Sequence, residues 1–234
     1  MLDQVEGRAK HTSIQHRLRF GNNWGGRRKG AGPKPKGERA GVSHRTRAAL
    51  ASRYPVHVTM RLKEGLPNLR RRLPHRVMRE AFEKGGEKFG FRLVQYSVQR
   101  NHLHFIAEAK DRVALAKGLQ ALFVRIARGL NRLWERKGSV FADRYHSRIM
   151  RAPRQVRNAL LYVLKNCWQH EESVQGPDPY SSAAWFDGWR ERLPREMRGE
   201  GPSGAAHART WLLRVGWRRS GLLSLDSIPG AQPP

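Results

Sequence analysis

The chain has 234 residues, enough for one core of ordinary size with tails and too few for two independently stable ones. Lys and Arg number 46 against 19 acidic residues, a formal charge of +27, so a polyanion is the expected partner. No run of about eighteen apolar residues is present to span a bilayer, which sets a membrane aside in favour of nucleic acid.

Cys167 is the only cysteine, excluding an internal disulfide and a cysteine-rich zinc site. With no apolar signal stretch at the start, a reducing, cytoplasmic setting is expected.

Residues 1–53 read as a flexible basic arm. From 21 to 51 the chain is rich in Gly, Pro, Lys and Arg and too poor in apolar residues to offset the entropy of ordering. Arg27, Arg28, Lys29, Lys34 and Lys36 are expected to attract phosphate there.

Alternation in VHVTMRL (56–62) puts Val56, Val58 and Met60 on one face and His57, Thr59 and Arg61 on the other, predicting a half-buried strand. A helix is predicted over 74–89, with Pro74 in its first turn, Val77, Met78, Ala81, Phe82 and Phe89 apolar, and Gly90 as its cap. FRLVQYSV (91–98) and HLHFIAEA (102–109), joined by Gln99, Arg100 and Asn101, predict an antiparallel hairpin.

Over 112–136, Leu115, Leu119, Leu122, Ile126, Leu130 and Leu133 form one helical stripe, with Arg125, Arg128, Arg132 and Arg136 in a row beside it. That row is either a solvated face or a line of phosphate contacts. Gly138 closes the helix, 140–150 leads into a strand carrying Arg144 and Arg148 as further phosphate-binding candidates, and Pro153 opens a helix reaching about 170.

The order strand, helix, strand, strand, helix, strand predicts an α+β class, a ferredoxin-like βαββαβ antiparallel sheet. The additional helix at 153–170 is free to cover the sheet's other face. Residues 54–175 form the expected catalytic domain, and 176–234 a C-terminal extension whose tryptophan-bearing islands either dock on the core or contact DNA.

The chemistry is expected on two elements. Side chains two apart on a strand share a face, so His102 and His104 point the same way. On the helix at 153–170 the apolar stripe is Val156, Ala159, Leu160, Val163, Leu164 and Cys167, and Tyr162 points about 140° from its centre. His-x-His alone is a weak signal, and a tyrosine off its own helix's stripe is commonly a surface residue.

Together with Asn166, the histidines offer two imidazole nitrogens and an amide oxygen to Mg2+ or Mn2+. Tyr162, one turn before Asn166, is then a candidate nucleophile toward phosphorus. Tyr145, in RYHSR, is the competing tyrosine and ranks below it for want of a helical relation to the histidine strand.

RNHLHF (100–105) resembles the histidine, hydrophobic, histidine motif of HUH endonucleases, and LLYVLKNC (160–167) resembles the nucleophile helix of their single-tyrosine transposases. The likeness runs from about Tyr54 to Trp185, taking in VHVTMRL, GSVFADRYHSRIM and PYSSAAW, and is closest to the REP-associated branch and its insertion-sequence relatives. It implies His102, His104 and Asn166 as metal ligands and Tyr162 as nucleophile, a 5′-phosphotyrosine with a released 3′ hydroxyl, and single-stranded, hairpin-forming DNA as substrate. It further implies a nucleoid-associated bacterial protein, either the monomer of the REP-associated branch or a homodimer.

The chain departs from the family in carrying Gln99 and Arg100 where Met-Pro is usual, and Asn166 and Cys167 where Asn-Pro is usual. Two other readings stand beside this one. A noncatalytic or domesticated nucleic-acid-binding protein on the same fold would carry aromatic residues on the exposed sheet face. A plasmid-replication or conjugation relative would share the chemistry and differ in target.

Overall fold

The structure is a computed structural model that describes residues 47–166 and 176–227. The arginines and lysines assigned to the basic arm, and Cys167, lie outside the described residues. The elements are β1 (Val56–Arg61), α1 (Arg72–Gly85), β2 (Glu87–Lys88), β3 (Phe91–Val98), β4 (His102–Ala109), α2 (Arg112–Leu133), β5 (His146–Ile149) and α3 (Pro153–Lys165). The sheet runs β2-β3-β4-β1-β5 with every neighbouring pair antiparallel, which is the ferredoxin-like arrangement with a short β2 added at one edge.

Each face of the sheet has its own core. Val58, Met60, Leu103, Phe105 and Ala107 face α1 and α2, where Met78, Phe82, Leu119, Leu122 and Ile126 fill the interior. Along β4 the alternate residues His102, His104, Ile106 and Glu108 face the other way, so Ile106 joins the second core with Val156, Leu160, Val163 and Leu164 of α3. A β-bulge after Leu93 keeps both Leu93 and Tyr96 in the first core although they are three residues apart.

α1 starts two residues earlier than the sequence expectation, two helices end sooner than expected, and the expected helix end near 170 lies outside the described residues. α1 stops at Gly85, and Phe89 and Gly90 instead form the two-residue turn between β2 and β3, with φ of 57° and 72°. Two successive positive φ values suit a hairpin turn and end any helix, so Gly90 is a turn residue rather than a helix cap. α2 stops at Leu133 because Glu135 turns into the left-handed region, φ 49°, ahead of Gly138.

The C-terminal segment docks on this framework. Val98 N–H donates to Tyr180 O and Ser182 N–H to Tyr96 O, lengthening the sheet at the free part of the β3 edge. Beyond it Phe186, Trp189, Leu193, Leu212, Leu213, Trp217 and Leu223 complete the second core over α3. The tryptophans that sequence left between docking and DNA therefore divide: Trp189 and Trp217 are buried, while Trp211 is 53% exposed.

His75 of α1 packs edge-on against Tyr180, ring centroids 5.0 Å apart. Burial, then the Arg79 and Arg70 guanidinium groups, lower its pKa from 6.5 to about 4. Between those values the unfolded chain binds a proton that the folded chain refuses, so stability is complete above pH 6.5 and declines as pH falls toward 4. The residual solvent contact of the ring reduces the effect to about 1–2 kcal/mol. Urea unfolding at pH 7 and pH 5 is expected to show a shallower acid loss in His75→Gln than in the wild type; equal losses would remove this assignment.

Candidate active site on the histidine face

Register brings the polar residues of three strands into rows. Arg61 lies opposite His102; Thr59 lies between His104 and His146; and His57 lies between Ile106 and Arg148. On the other side of His104 is Ser97, which is buried and accepts a hydrogen bond from Gln99 Nε2 at 2.7 Å. Gln99 also closes the hairpin by donating its N–H to His102 O, so the departure from Met-Pro is accommodated inside the turn.

His104 is 3% exposed. Its Nδ1 lies 3.2 Å from Thr59 Oγ1 and 3.3 Å from His57 Nε2, while its Nε2 is buried with no hydrogen-bond partner. A proton on Nδ1, shared with those neighbours, leaves the Nε2 lone pair as the coordinating one. His102 is oriented in the same sense by Asn101, whose Oδ1 lies 2.9 Å from its Nδ1.

Burial is the main reason the His104 and His57 imidazoles stay neutral. It lowers the His104 pKa to about 2, helped by His102, His57 and Arg61, and that of His57 to about 4, helped by His146 and Arg148. A neutral imidazole is the form that binds metal.

α3 covers this face because its apolar stripe is satisfied by the second core, which turns Tyr162 toward the histidines. The half-buried Tyr162 ring stands edge-on to His104 at 5.1 Å and to His57 at 5.8 Å between centroids. Asn166, at the C-cap one helical turn later, is 1% exposed, and neither its amide oxygen nor its amide nitrogen has a hydrogen-bond partner. Leaving such groups unpaired costs about 1–3 kcal/mol each, and the chemistry of two of them, the Asn166 amide oxygen and the His104 Nε2 lone pair, fits a divalent cation. Among the described residues no group of three or more His, Cys, Asp or Glu side chains is arranged to hold a metal.

The phosphate-binding candidates separate by layer. Arg148 is exposed on the histidine face, opposite His57. Arg144 is half-buried in the loop before β5. Arg125, Arg128 and Arg132 are exposed on α2, which packs against the opposite face of the sheet, and Arg136 is tied to Asn131 at 2.7 Å.

Tyr145 also belongs to the α2 side. It packs against Phe123, the Arg47 guanidinium lies 3.8 Å above its ring, and burial raises its pKa. Alternation in VHVTMRL puts Thr59 and His57 on the polar face, but their contacts with His104 come from cross-strand register, which no pattern within one segment signals.

The fold and site thus define an α+β protein in which a tyrosine on a covering helix meets a paired-histidine strand. Residues 51–166 match the family described as IS200-like transposase, and the chain belongs to that group of HUH-type single-tyrosine transposases, enzymes acting on DNA. Among solved structures it is similar to a REP-associated tyrosine transposase bound to a REP hairpin, with a TM-score of 0.52 and 15% identity over 72% of this chain and 100% of that one. No functionally curated protein matches it. No helix among the described residues is long and apolar enough to cross a membrane.

Proposed function

We propose that this transposase cleaves and rejoins single-stranded DNA through Tyr162. The observation that carries the reading is the Tyr162 ring held against His104 and His57, with the partnerless amide of Asn166 one turn beyond. The Tyr162 oxygen attacks phosphorus, a Tyr162 O–P bond forms, and the P–O3′ bond breaks. The phosphate stays on the 5′ side as a phosphotyrosine; the departing 3′ oxygen takes up a proton and the tyrosine proton passes to solvent.

A divalent ion, Mg2+ or Mn2+, bound by His102, His104 and Asn166 would supply charge stabilisation at the phosphate oxygens. Thr59 and His57 orient His104, and α3 holds the attacking hydroxyl on the same side as the ligands. Arg148 and Arg61 add positive charge to this face. The similar transposase solved with a REP hairpin supports hairpin-forming DNA as the substrate.

The test combines hairpin oligonucleotides from the DNA flanking the gene with Mn2+, Mg2+ or EDTA, followed by denaturing electrophoresis. A covalent protein–DNA adduct is expected with metal and not with EDTA. In His104→Ala the adduct rate is expected to fall about a hundredfold or more. Independently of activity, Mn2+ at a hundred times its dissociation constant is expected to stabilise the wild type by about 2.7 kcal/mol and to leave His104→Ala unchanged. Tight DNA binding without any adduct would leave a noncatalytic binding protein.

A further inference from the structure

Trp211 opens α4 (Trp211–Arg214), a single turn of the C-terminal segment. Its neighbours Leu212 and Leu213 are buried, and Trp217 beyond them is 1% exposed, with its indole N–H donating to Leu213 O at 3.0 Å. The turn therefore has a seat in the core, yet its largest side chain is left outside it.

The exposed indole is held in place. A Cβ on Gly216 would come within 2.6 Å of the Trp211 ring, so only glycine lets the ring lie this close to the backbone. On the other side of the turn, the buried carboxylate of Glu108 accepts from Arg209 N–H at 2.9 and 3.0 Å and from Thr210 N–H at 2.8 Å. Arg92 Nε lies 3.3 Å from the same carboxylate. Thr210 then caps the turn by accepting from Leu213 N–H.

A carboxylate is costly to bury, and this one serves to fix the backbone from which Trp211 projects. Glu108 lies on β4 on the same face as His104, four residues away, roughly 13 Å at the ordinary strand rise. The platform thus belongs to the same side of the sheet as the proposed reaction centre.

Exposed Arg214 and Arg219 follow in the same short stretch, while Arg209 and Arg218 are paired with Glu87 and Asp187. An exposed indole seated against the turn, with exposed arginines three and eight residues further along a chain of net charge +27, is matched by a nucleic-acid strand whose bases are free to stack.

We infer that Trp211 is a stacking platform for an unpaired base of the bound DNA, with Arg214 and Arg219 receiving the adjoining phosphates. The inference rests on the reading of this protein as a single-strand transposase and assigns a contact outside its cleavage centre.

The test measures fluorescence anisotropy of the full chain with a hairpin bearing a single-stranded flank and with the same hairpin made blunt. Trp211→Ala is expected to weaken the flanked hairpin about 5- to 100-fold and leave the blunt one unchanged, with Trp211→Phe retaining most of the affinity. Because the ring is exposed, the melting temperature of Trp211→Ala should match the wild type. Should it fall, the paired substitution Arg214→Ala and Arg219→Ala, expected to weaken binding and flatten its salt dependence, serves as the readout.

Equal binding of both oligonucleotides by wild type and Trp211→Ala would overturn the inference while leaving Tyr162 chemistry intact. Equal weakening on the blunt hairpin would also overturn it. So would loss of a dimer in Trp211→Ala with unchanged DNA affinity, which would make the indole a contact between two copies. Failure of the wild type to bind single-stranded DNA or form an adduct would remove the functional reading itself.

Discussion

Tyr162→Phe is expected to abolish the covalent adduct with single-stranded DNA, a loss of at least about a thousandfold, while leaving DNA binding and thermal stability near wild type. The substitution removes one oxygen and keeps the ring that stands edge-on to His104 and His57, so the packing of α3 on the sheet is preserved. Tyr145→Phe is the matched control and should react normally, because its ring belongs to the α2 side with Phe123 and Arg47. An adduct that persists in Tyr162→Phe and disappears in Tyr145→Phe would reverse the assignment. One persisting in both would point to a nucleophile outside this face.

The largest stability effect is expected at Asp178. Its carboxylate is fully buried, lies 2.9 and 3.1 Å from Arg70 Nη1, and accepts from Tyr180 N–H at 3.0 Å. Arg70 Nη1 also donates to Val98 O, so the pair joins the start of α1, the end of β3 and the entry of the C-terminal segment. Removing one partner of such a pair leaves a charge in a site built for two, at a cost of about 3–5 kcal/mol. Asp178→Ala should therefore shift the urea midpoint strongly, and Asp178→Asn, which keeps an acceptor for Tyr180, should shift it less. A change below about 1 kcal/mol for Asp178→Ala would show that the C-terminal segment is held by its apolar contacts alone.

The local signals of the sequence were good guides to elements. Alternation in VHVTMRL and HLHFIAEA fixed which residues share a face, because side chains on a strand can only alternate. The leucine stripe of α2 and the off-stripe position of Tyr162 followed from helical periodicity. Element ends were less legible: the stop of α1 depends on the Phe89–Gly90 turn, where a non-glycine residue adopts a positive φ that composition does not announce.

By itself the sequence determined the α+β class, the order of the four principal strands along the chain though not the short β2, the histidine pair on one strand face, and membership in a single-tyrosine transposase family. These are properties of periodicity and short motifs, which are read within one segment at a time. Tertiary structure alone decided that Thr59 and His57 meet His104, since cross-strand register sets which residues of separate strands become neighbours. It also placed the α2 arginines behind the sheet, buried Trp189 and Trp217 while leaving Trp211 outside, and turned Glu108 into the anchor of that turn. Each of those outcomes depends on which face of the sheet a distant segment covers, and that choice is made by packing two cores at once rather than by any local pattern.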